Sequence, residues 1–268
     1  MPLMSSPAAE PVLLERDGHV LVITLNRPEA RNAVNGPLTL AVGTALEDAD
    51  QAGDVRAVVL TGSGEVSFCA GVDLKALARG ETVNPPGTER WGFAGVVTHP
   101  ISKPVIAAVN GAALGGGTEL VLAADLAVAA DSAIFGTPEV RRGLIAAAGG
   151  LVRLPEQLPR KIAMQLVLTG EPIDATTALR WGLVNAVVPA DALRATALEL
   201  AHTIARNAPL AVQASKRVAQ GIRDGSVPAE DDAWAASNHE ILALMGTEDA
   251  IEGPTAFAEK REPVWKGR

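Results

Sequence analysis

The sequence predicts a mixed α/β fold whose last third is helical. Short apolar runs of strand length, at 55–61 and 104–109, each end at a glycine-containing turn, which is typical of buried strands. From Gly149 onward, segments with helical periodicity are separated by Gly, Pro, Asn or Asp. The order strand, loop, strand, helix occurs at least twice, around Thr61 and around Asn110, and indicates a loose internal repeat.

Composition and charge narrow the class of function. The chain has 268 residues, of which 48% are hydrophobic and 20% charged, as in a globular protein with a large core. Its net charge of −8 at pH 7 argues against nucleic-acid binding, which needs a cationic surface. The single cysteine, Cys69, excludes an intrachain disulfide and favours a reducing, cytoplasmic location. Residues 1–11 lack the pattern of a signal peptide, and no apolar run predicts a membrane span.

The first elements predicted are a β-hairpin and a helix. Residues 12–25 form two apolar runs around Asp17-Gly18, a strong signal for a hairpin turn. Residues 37–51 predict an amphipathic helix. The positions of this helix available to the core are Leu38, Leu40, Val42 and Leu46.

A glycine turn at the start of an apolar helix is the most informative stretch. The predicted strand 104–109 leads into Gly115-Gly116-Gly117, and an apolar helix with one carboxylate, Glu119, follows. The free N–H groups and dipole of a helix start can hold an anion or a developing oxyanion. A carboxylate in such an apolar run is predicted to have a raised pKa if it is buried. The alternative is an ordinary acid in a first helical turn.

Further elements follow on both sides of this turn. Residues 67–75 predict a second glycine turn that leads into a short helix, and 79–93 predicts a mobile loop suited to a lid. Two strands are predicted at 126–130 and 133–135. Pro138 suits the first turn of a helix, with Glu139 just inside it. The later helices are predicted near 161–168, 174–181, 191–206, 210–221, 231–244 and 248–260.

Several kinds of chemistry find no support in the sequence. No two of the four histidines have metal-ligand spacing, so no metal site is predicted. A phosphate-binding Walker motif and a G-x-S-x-G nucleophile elbow are both missing from the sequence. Gly115-Gly116-Gly117 fails the dinucleotide spacing because Leu120 occupies the last glycine position. Cys69, beside Phe68 and without a neighbouring histidine, is better explained as a packed, inert thiol than as a nucleophile.

Five motifs in a fixed order carry a family resemblance. They are Leu25-Asn26-Arg27-Pro28 with Arg31-Asn32-Ala33, then 68–74, 110–120, 135–139 with Gly143-Leu144-Ile145 and Gly149-Gly150, and 256–261. Together they resemble the enoyl-CoA hydratase/isomerase (crotonase) superfamily, from about Leu13 to Arg261. Each motif alone is modest, but their order makes the resemblance specific.

The resemblance implies a crotonase-like ββα spiral core followed by a helical C-terminal trimerisation region. It divides the chain into a mobile lead (1–11), a core with the CoA and active site (12–200) and a helical region (201–268). It also implies an acyl-CoA thioester substrate and a homotrimer or homohexamer. No cofactor is expected, because coenzyme A is part of the substrate.

By resemblance, four residues would form the reaction centre. The backbone N–H groups of Val72 and Gly116 would form an oxyanion hole for the thioester carbonyl. Glu119 and Glu139 match the two acids of the family's hydratases. We assign Glu119 to activating water and Glu139 to delivering the proton to Cα, since hydration needs both a base and an acid.

The resemblance also places coenzyme A. The cations expected at its phosphates are Arg27, Arg31 and Lys75, with Lys260 arriving from a neighbouring subunit. The residues expected near adenine are Ala70, Asp73 and Leu74.

Hydration of a 2-enoyl-CoA is therefore the expected activity, with two alternatives. One is an enoyl-CoA isomerase or another CoA-ester dehydratase or lyase on the same scaffold. The other is a non-catalytic CoA-binding scaffold. One departure bears on the acyl pocket: Ala146-Ala147 stands where many hydratases have Pro-Gly. The loop 79–93, with Trp91, is expected to shape that pocket.

Overall fold

The structure, a computed structural model, describes residues 10–268. Most of the predicted N-terminal lead therefore lies outside the described residues. In chain order the strands are β1 (Val12–Asp17), β2 (Val20–Leu25), β3 (Ala57–Gly62), β4 (Ser67–Cys69), β5 (Val105–Val109), β6 (Ala112–Leu114), β7 (Leu126–Ala130), β8 (Ile134–Gly136), β9 (Ile173–Asp174) and β10 (Ala186–Val188). The α-helices are α1 (Gly36–Gln51), α2 (Leu74–Ala78), α3 (Gly116–Ala123), α4 (Gly150–Gln157), α5 (Arg160–Thr169), α6 (Ala175–Trp181), α7 (Leu193–Ala205), α8 (Pro209–Gln220), α9 (Asp231–Met245) and α10 (Glu248–Glu259).

Two sheets run side by side through the core. The larger has the order β1-β2-β3-β5-β7-β10 and the smaller has the order β4-β6-β8-β9. The pairs β1–β2 and β8–β9 are antiparallel, and the other pairs are parallel. The chain repeatedly passes from the large sheet to the small sheet and then into a helix, as in β3-β4-α2 and β5-β6-α3. This is the predicted ββα spiral, and the predicted internal repeat corresponds to its turns.

The N-terminal elements form for the reasons that the sequence suggests. Gly18 adopts a positive φ of 56° in the hairpin turn, which glycine tolerates without steric cost. Helix α1 begins after Asn35, whose side chain accepts a hydrogen bond from the backbone N–H of Leu38. The core face of α1 contains Leu38, Val42 and Leu46, which are all buried. The prediction for Leu40 is wrong, because its side chain is 48% exposed on the opposite face.

Apolar side chains cover the large sheet on both faces. One face carries residues such as Ile23, Leu60 and Val109, which pack in the main core with α1. The other face carries Val20, Val22, Val59 and Ile106, which pack against Leu193, Ala197 and Ala201 of α7. Parallel strands buried on both faces read as continuous apolar runs, as these do. Helix α7 continues across residue 200, where the core was expected to give way to the helical region.

The predicted helices of the second half are present, within two residues at most ends. Helix α4 and the short strands β6, β9 and β10 were not predicted. Strand β10 pairs with β7. It was missed because three residues are too few to show a pattern. Within residues 10–268, no helix is both long and apolar enough to cross a membrane.

Candidate active site

Glu119 lies in the first turn of α3, and its side chain points into the core. The residue is only 3% exposed, and its Oε1 accepts a hydrogen bond of 2.9 Å from the backbone N–H of Gly150. Neighbouring Thr118 fixes this helix start, because its hydroxyl donates to Ala113 O on β6 and accepts from the Gly136 N–H on β8. The small sheet and the start of α4 together hold the Glu119 carboxylate in place.

Glu139 approaches the same helix start from the other side. It lies in the 3-10 helix Pro138–Arg142, which follows β8 and has Pro138 in its first turn. Its Oε1 lies 2.9 Å from the position that a Cβ on Gly115 would take, and Gly115 immediately precedes α3. Its Oε2 is buried and has no hydrogen-bond partner among the described residues. The structure therefore brings both predicted acids to the N-terminal end of α3.

The surroundings of both acids raise their pKa values above the ordinary range. Burial is the main cause for Glu119, and the negative charge of Glu139 adds to it. Backbone N–H groups of Gly150 and Ala148 and the Arg153 guanidinium act in the opposite direction. Burial likewise raises the pKa of Glu139. Two interacting carboxyl groups of this kind can share one proton near neutral pH, so that one serves as acid and the other as base.

Two backbone donors lie near this pair of carboxyl groups. A Cβ on Gly71, which has a positive φ of 86°, would lie 3.3 Å from the backbone nitrogen of Gly116. The adjacent residue, Val72, is held by a parallel bridge to Val34. Within residues 10–268, neither the N–H of Val72 nor that of Gly116 donates a hydrogen bond to a backbone or side-chain acceptor. Two unpaired N–H groups on adjoining turns suit a developing oxyanion.

The glycines of the central turn are required by close neighbours. The space of a Cβ on Gly116 is occupied by the ring of Phe93, and that of a Cβ on Gly117 by the carbonyl oxygen of Cys69. The first residue of the triplet, Gly115, faces the Glu139 carboxyl. A side chain at any of these positions would displace part of the site.

Arg27 and Asp73, both expected at coenzyme A, are bound to each other. Arg27 Nη2 lies 2.8 Å from Asp73 Oδ2, and Arg27 Nη1 donates to Ala33 O. Asp73 Oδ1 also accepts the N–H groups of Lys75 and Ala76 at the start of α2. The pair ties the N-terminal segment to the Val72 turn, and the role of Arg27 at a phosphate of coenzyme A stays a prediction.

The other residues expected at coenzyme A lie in two places. Ala70 and Leu74 are half-buried on the turn around Val72, with Lys75 exposed beside them. Arg31 is exposed, and its carbonyl accepts the Ala70 N–H. Lys260 is the residue after α10. That helix packs in the same chain against the 3-10 helix that carries Glu139, with the Arg142 guanidinium over the Phe257 ring.

Two aromatic residues at the end of the loop 79–93 make close contacts with α1 and with the central glycine turn. Trp91 is buried against Gly43 of α1 and stacks on His99 with ring centroids 5.3 Å apart. Its expected role in shaping an acyl pocket stays a prediction. Phe93, which the sequence did not single out, covers Gly116.

Cys69 is buried on β4, and burial raises the pKa of its thiol to about 12. A neutral, enclosed thiol is a poor nucleophile, which agrees with the packed cysteine that was predicted. Among the described residues, no three His, Cys, Asp or Glu side chains form a group that could hold a metal ion.

Comparison with known proteins identifies the family. Residues 15–268 match the family model for enoyl-CoA hydratase/isomerase, and the chain belongs to this family. It is 44% identical to the carnitinyl-CoA dehydratase of Salmonella arizonae, over 97% of this chain and 99% of that protein. The crystal structure of carnitinyl-CoA hydratase from Mycobacterium avium has a TM-score of 0.96 and 58% identity, covering 97% of this chain and all of that one. The crystal structure of enoyl-CoA hydratase from Mycobacterium tuberculosis H37Rv has a TM-score of 0.74 and 43% identity, and it covers 97% of this chain and all of that one.

These comparisons confirm three predictions. The predicted superfamily is correct, and the ββα architecture is that of the family's solved structures. A hydro-lyase activity of the crotonase type on an acyl-CoA thioester is confirmed at the level of the family.

Proposed function

We propose that the protein reversibly adds water across the 2,3 double bond of a 2-enoyl-CoA, with Glu119 and Glu139 as its catalytic acids. In the hydration direction, Glu119 takes a proton from water while the water oxygen bonds to Cβ. The electron pair of the double bond moves toward the thioester, and Glu139 gives its proton to Cα. The dehydration direction reverses each step. No cofactor takes part in this sequence.

One observation carries this proposal: two buried carboxyl groups meet at a helix start that has unpaired backbone N–H groups. A carboxyl pair with raised pKa values can hold the one proton that the reaction moves. The N–H groups of Val72 and Gly116 would stabilise the charge that develops on the thioester oxygen. Removing one such donor costs about 2.7–4 kcal/mol of transition-state stabilisation in other enzymes.

The acyl group we propose is the carnitinyl group. Support comes from relatives named for carnitinyl-CoA, which match almost the whole chain in both directions. An ionised carboxylate in the acid pair would also attract the positive charge of a trimethylammonium group. Dehydration of carnitinyl-CoA gives an enoyl-CoA that carries this cation at the γ carbon.

For coenzyme A, we keep the predicted contacts at Arg31, Ala70, Leu74 and Lys75, which surround the Val72 turn. Lys260 stays a proposed contact from a neighbouring subunit. Arg27 and Asp73 would act through their ion pair, by holding this turn.

We also propose that the protein assembles as a homotrimer or homohexamer in the cytoplasm. Exposed apolar side chains on α8 and α9 support assembly, among them Leu210, Val218 and Leu242, since such residues on a surface often mark an interface. A single buried cysteine is consistent with a reducing compartment. Sedimentation equilibrium would test the assembly, and a monomer at micromolar concentration would contradict it.

The substrate proposal is tested by three thioesters in one assay. Carnitinyl-CoA is expected to give a rise in ultraviolet enoyl-thioester absorbance, with a kcat/KM at least about tenfold above that for 3-hydroxybutyryl-CoA. Equal values would contradict the proposed acyl group and leave a general hydratase. The third thioester, a 3-enoyl-CoA, tests the isomerase alternative: its conversion to a 2-enoyl-CoA, with no activity on the hydroxyacyl esters, would overturn the proposed reaction.

A further inference from the structure

A buried ion pair joins the C-terminal helical region to the start of α4, beside the active site. Arg153 on α4 binds both carboxylate oxygens of Glu230, with distances of 2.9 and 2.8 Å. The side chains of the pair are only 12% and 13% exposed. Trp234 on α9 donates its indole N–H to the same carboxylate at 2.9 Å, and the Arg153 guanidinium lies 5.6 Å from its ring centre. The position of Arg153 is therefore fixed by residues 77 and 81 positions away.

One part of Arg153 is left unused by this pairing. Its Nη1 is buried and has no hydrogen-bond partner among the described residues. A Cβ on Gly149 would lie 3.5 Å from this nitrogen, and the next residue, Gly150, donates its N–H to Glu119. An unsatisfied guanidinium nitrogen is costly in a protein interior. Its presence next to the segment that holds Glu119 suggests a use in the site.

Among residues 10–268, few charged or titratable groups surround Glu119. They are Glu139 after β8, Arg153 on α4 and the Cys69 thiol on β4. Glu156, also on α4, is exposed, and β5, β6 and β8 contribute no titratable side chain. Arg153 is thus the cation of this set, and Glu230 and Trp234 are the groups that hold it. An opposite charge close to a carboxyl group favours its ionised form.

We propose that Arg153 is a positioning residue for the acid pair, whose guanidinium favours the ionised form of Glu119 and so biases the shared proton toward Glu139. Glu119 accepts the Gly150 N–H, and Arg153 Nη1 lies 3.5 Å from the position of a Cβ on Gly149, the residue before Gly150. Glu139 Oε2, in contrast, has no hydrogen-bond partner among the described residues. Glu230 reduces the influence of Arg153 on the ionisation of Glu119, because its negative charge offsets part of the positive charge of the guanidinium. Through Glu230 and Trp234, the C-terminal helical region therefore influences which of the two glutamates carries the proton. This inference rests on the proposed function only in naming Glu119 as the base.

The test follows the ionisation of Glu119 directly, by infrared titration of the protonated-carboxyl band that Glu119→Gln removes. Arg153→Met is expected to raise the midpoint of this band by about one pH unit or more, and Arg153→Lys to leave it near the wild-type value. Glu230→Gln is expected to lower the midpoint, because it leaves the guanidinium charge uncompensated. If the role of Arg153 were purely structural, the midpoints of Arg153→Met and Glu230→Gln would shift in the same direction or stay at the wild-type value. Either result would overturn the proposal.

A second buried ion pair provides the matched control. Lys216 on α8 lies 2.7 Å from Asp125, with side chains 9% and 15% exposed, and it also ties the helical region to the core. Lys216→Met is expected to lower stability but not to move the midpoint. If Arg153→Met does not fold, the other two variants decide the question. The proposal then predicts a lower midpoint in Glu230→Gln and an unchanged midpoint in Lys216→Met.

Because the infrared signal needs no turnover, it remains informative if the substrate proposal fails. In an active enzyme, the acidic limb of the kcat/KM profile is expected to shift with the same signs. The KM for the CoA ester should stay within about twofold in Arg153→Lys.

Discussion

The backbone N–H of Gly150 donates a hydrogen bond of 2.9 Å to Oε1 of Glu119, across 31 residues of sequence. Gly150 begins α4 and Glu119 lies in the first turn of α3, so the bond joins two helix starts. A Cβ on residue 150 would lie 3.1 Å from this oxygen and 2.7 Å from the Cβ of Ala146. The position of the carboxylate therefore depends on glycine at 150.

Gly150→Ala should accordingly reduce kcat by about 10²-fold while the protein still folds, because small displacements of a catalytic group have large effects on rate. The measurement is steady-state kinetics together with a thermal unfolding curve. Gly246→Ala is the control, since its Cβ would meet only Ala243 O at 3.6 Å. Equal activity in the two variants would show that the contact with Gly150 does not position Glu119.

The buried carboxyl group of Glu119 should make stability depend on pH. Its folded-state pKa is raised above the ordinary value of 4.5, mainly by burial, so the folded state holds a proton that the unfolded state loses. The contribution of this group to stability is therefore fully present below pH 4.5 and is lost as the pH rises through the folded-state pKa. Glu119→Gln removes this loss and should be more stable than wild type at pH 8 by about 1 kcal/mol or more, with the difference shrinking toward pH 4.5.

Chemical denaturation at several pH values measures this difference. Exposed Glu156 on α4 supplies the control, because Glu156→Gln should show no such trend. A Glu119→Gln variant that is less stable than wild type at pH 8 would mean that the carboxylate is favourably paired rather than destabilised by burial.

Phe93 should determine whether a side chain is tolerated at Gly116. The space of a Cβ on Gly116 is filled by the Phe93 ring, so Gly116→Ala must displace the ring or the backbone N–H. We expect a fall in kcat of about tenfold or more, and partial recovery when Phe93→Leu is added. The kinetics of the two single variants and the double variant measure this. Full activity in Gly116→Ala alone would contradict the close packing.

The Arg27–Asp73 ion pair should act as one unit. Its side chains are 18% and 10% exposed, and losing either partner leaves the other poorly compensated. A double-mutant cycle with Arg27→Met and Asp73→Asn should give a coupling of about 1–3 kcal/mol in the free energy of unfolding. Arg31→Met, at an exposed site, should weaken CoA-ester binding with little effect on stability. Additive effects of Arg27→Met and Asp73→Asn would show that they act separately.

Local patterns in the sequence account for much of the fold, whereas the acid pair was predicted from the family resemblance. The glycine triplet and the apolar run after it predicted a helix start that carries one carboxylate and left open whether this group is buried; Glu119 is 3% exposed. Strand β10 and helix α4 were missed, because three residues are too few to show a period and because Pro155 lies inside α4, where proline disfavours a helix. The continuous apolar runs at 55–61 and 104–109 also predicted buried strands, and β3 and β5 are buried.

Contacts between distant segments could not be predicted. Arg153 and Glu230 are 77 residues apart, and each alone resembles an ordinary surface charge on a helix. The Arg27–Asp73 pair spans 46 residues, so the sequence does not show that these two side chains bind each other. The contact between Trp91 and Gly43 of α1 likewise joins segments that are distant in the sequence.

The central claim is that both glutamates act in the same turnover, and one measurement tests it most directly. It is the rate of enoyl-thioester absorbance change for wild type, Glu119→Gln and Glu139→Gln, with Glu156→Gln as the control. Losses of about 10²–10⁴-fold in each active-site variant, with an unchanged control, are the predicted result. A variant at either position that keeps wild-type kcat would contradict the two-acid account and point to chemistry that needs a single carboxyl group.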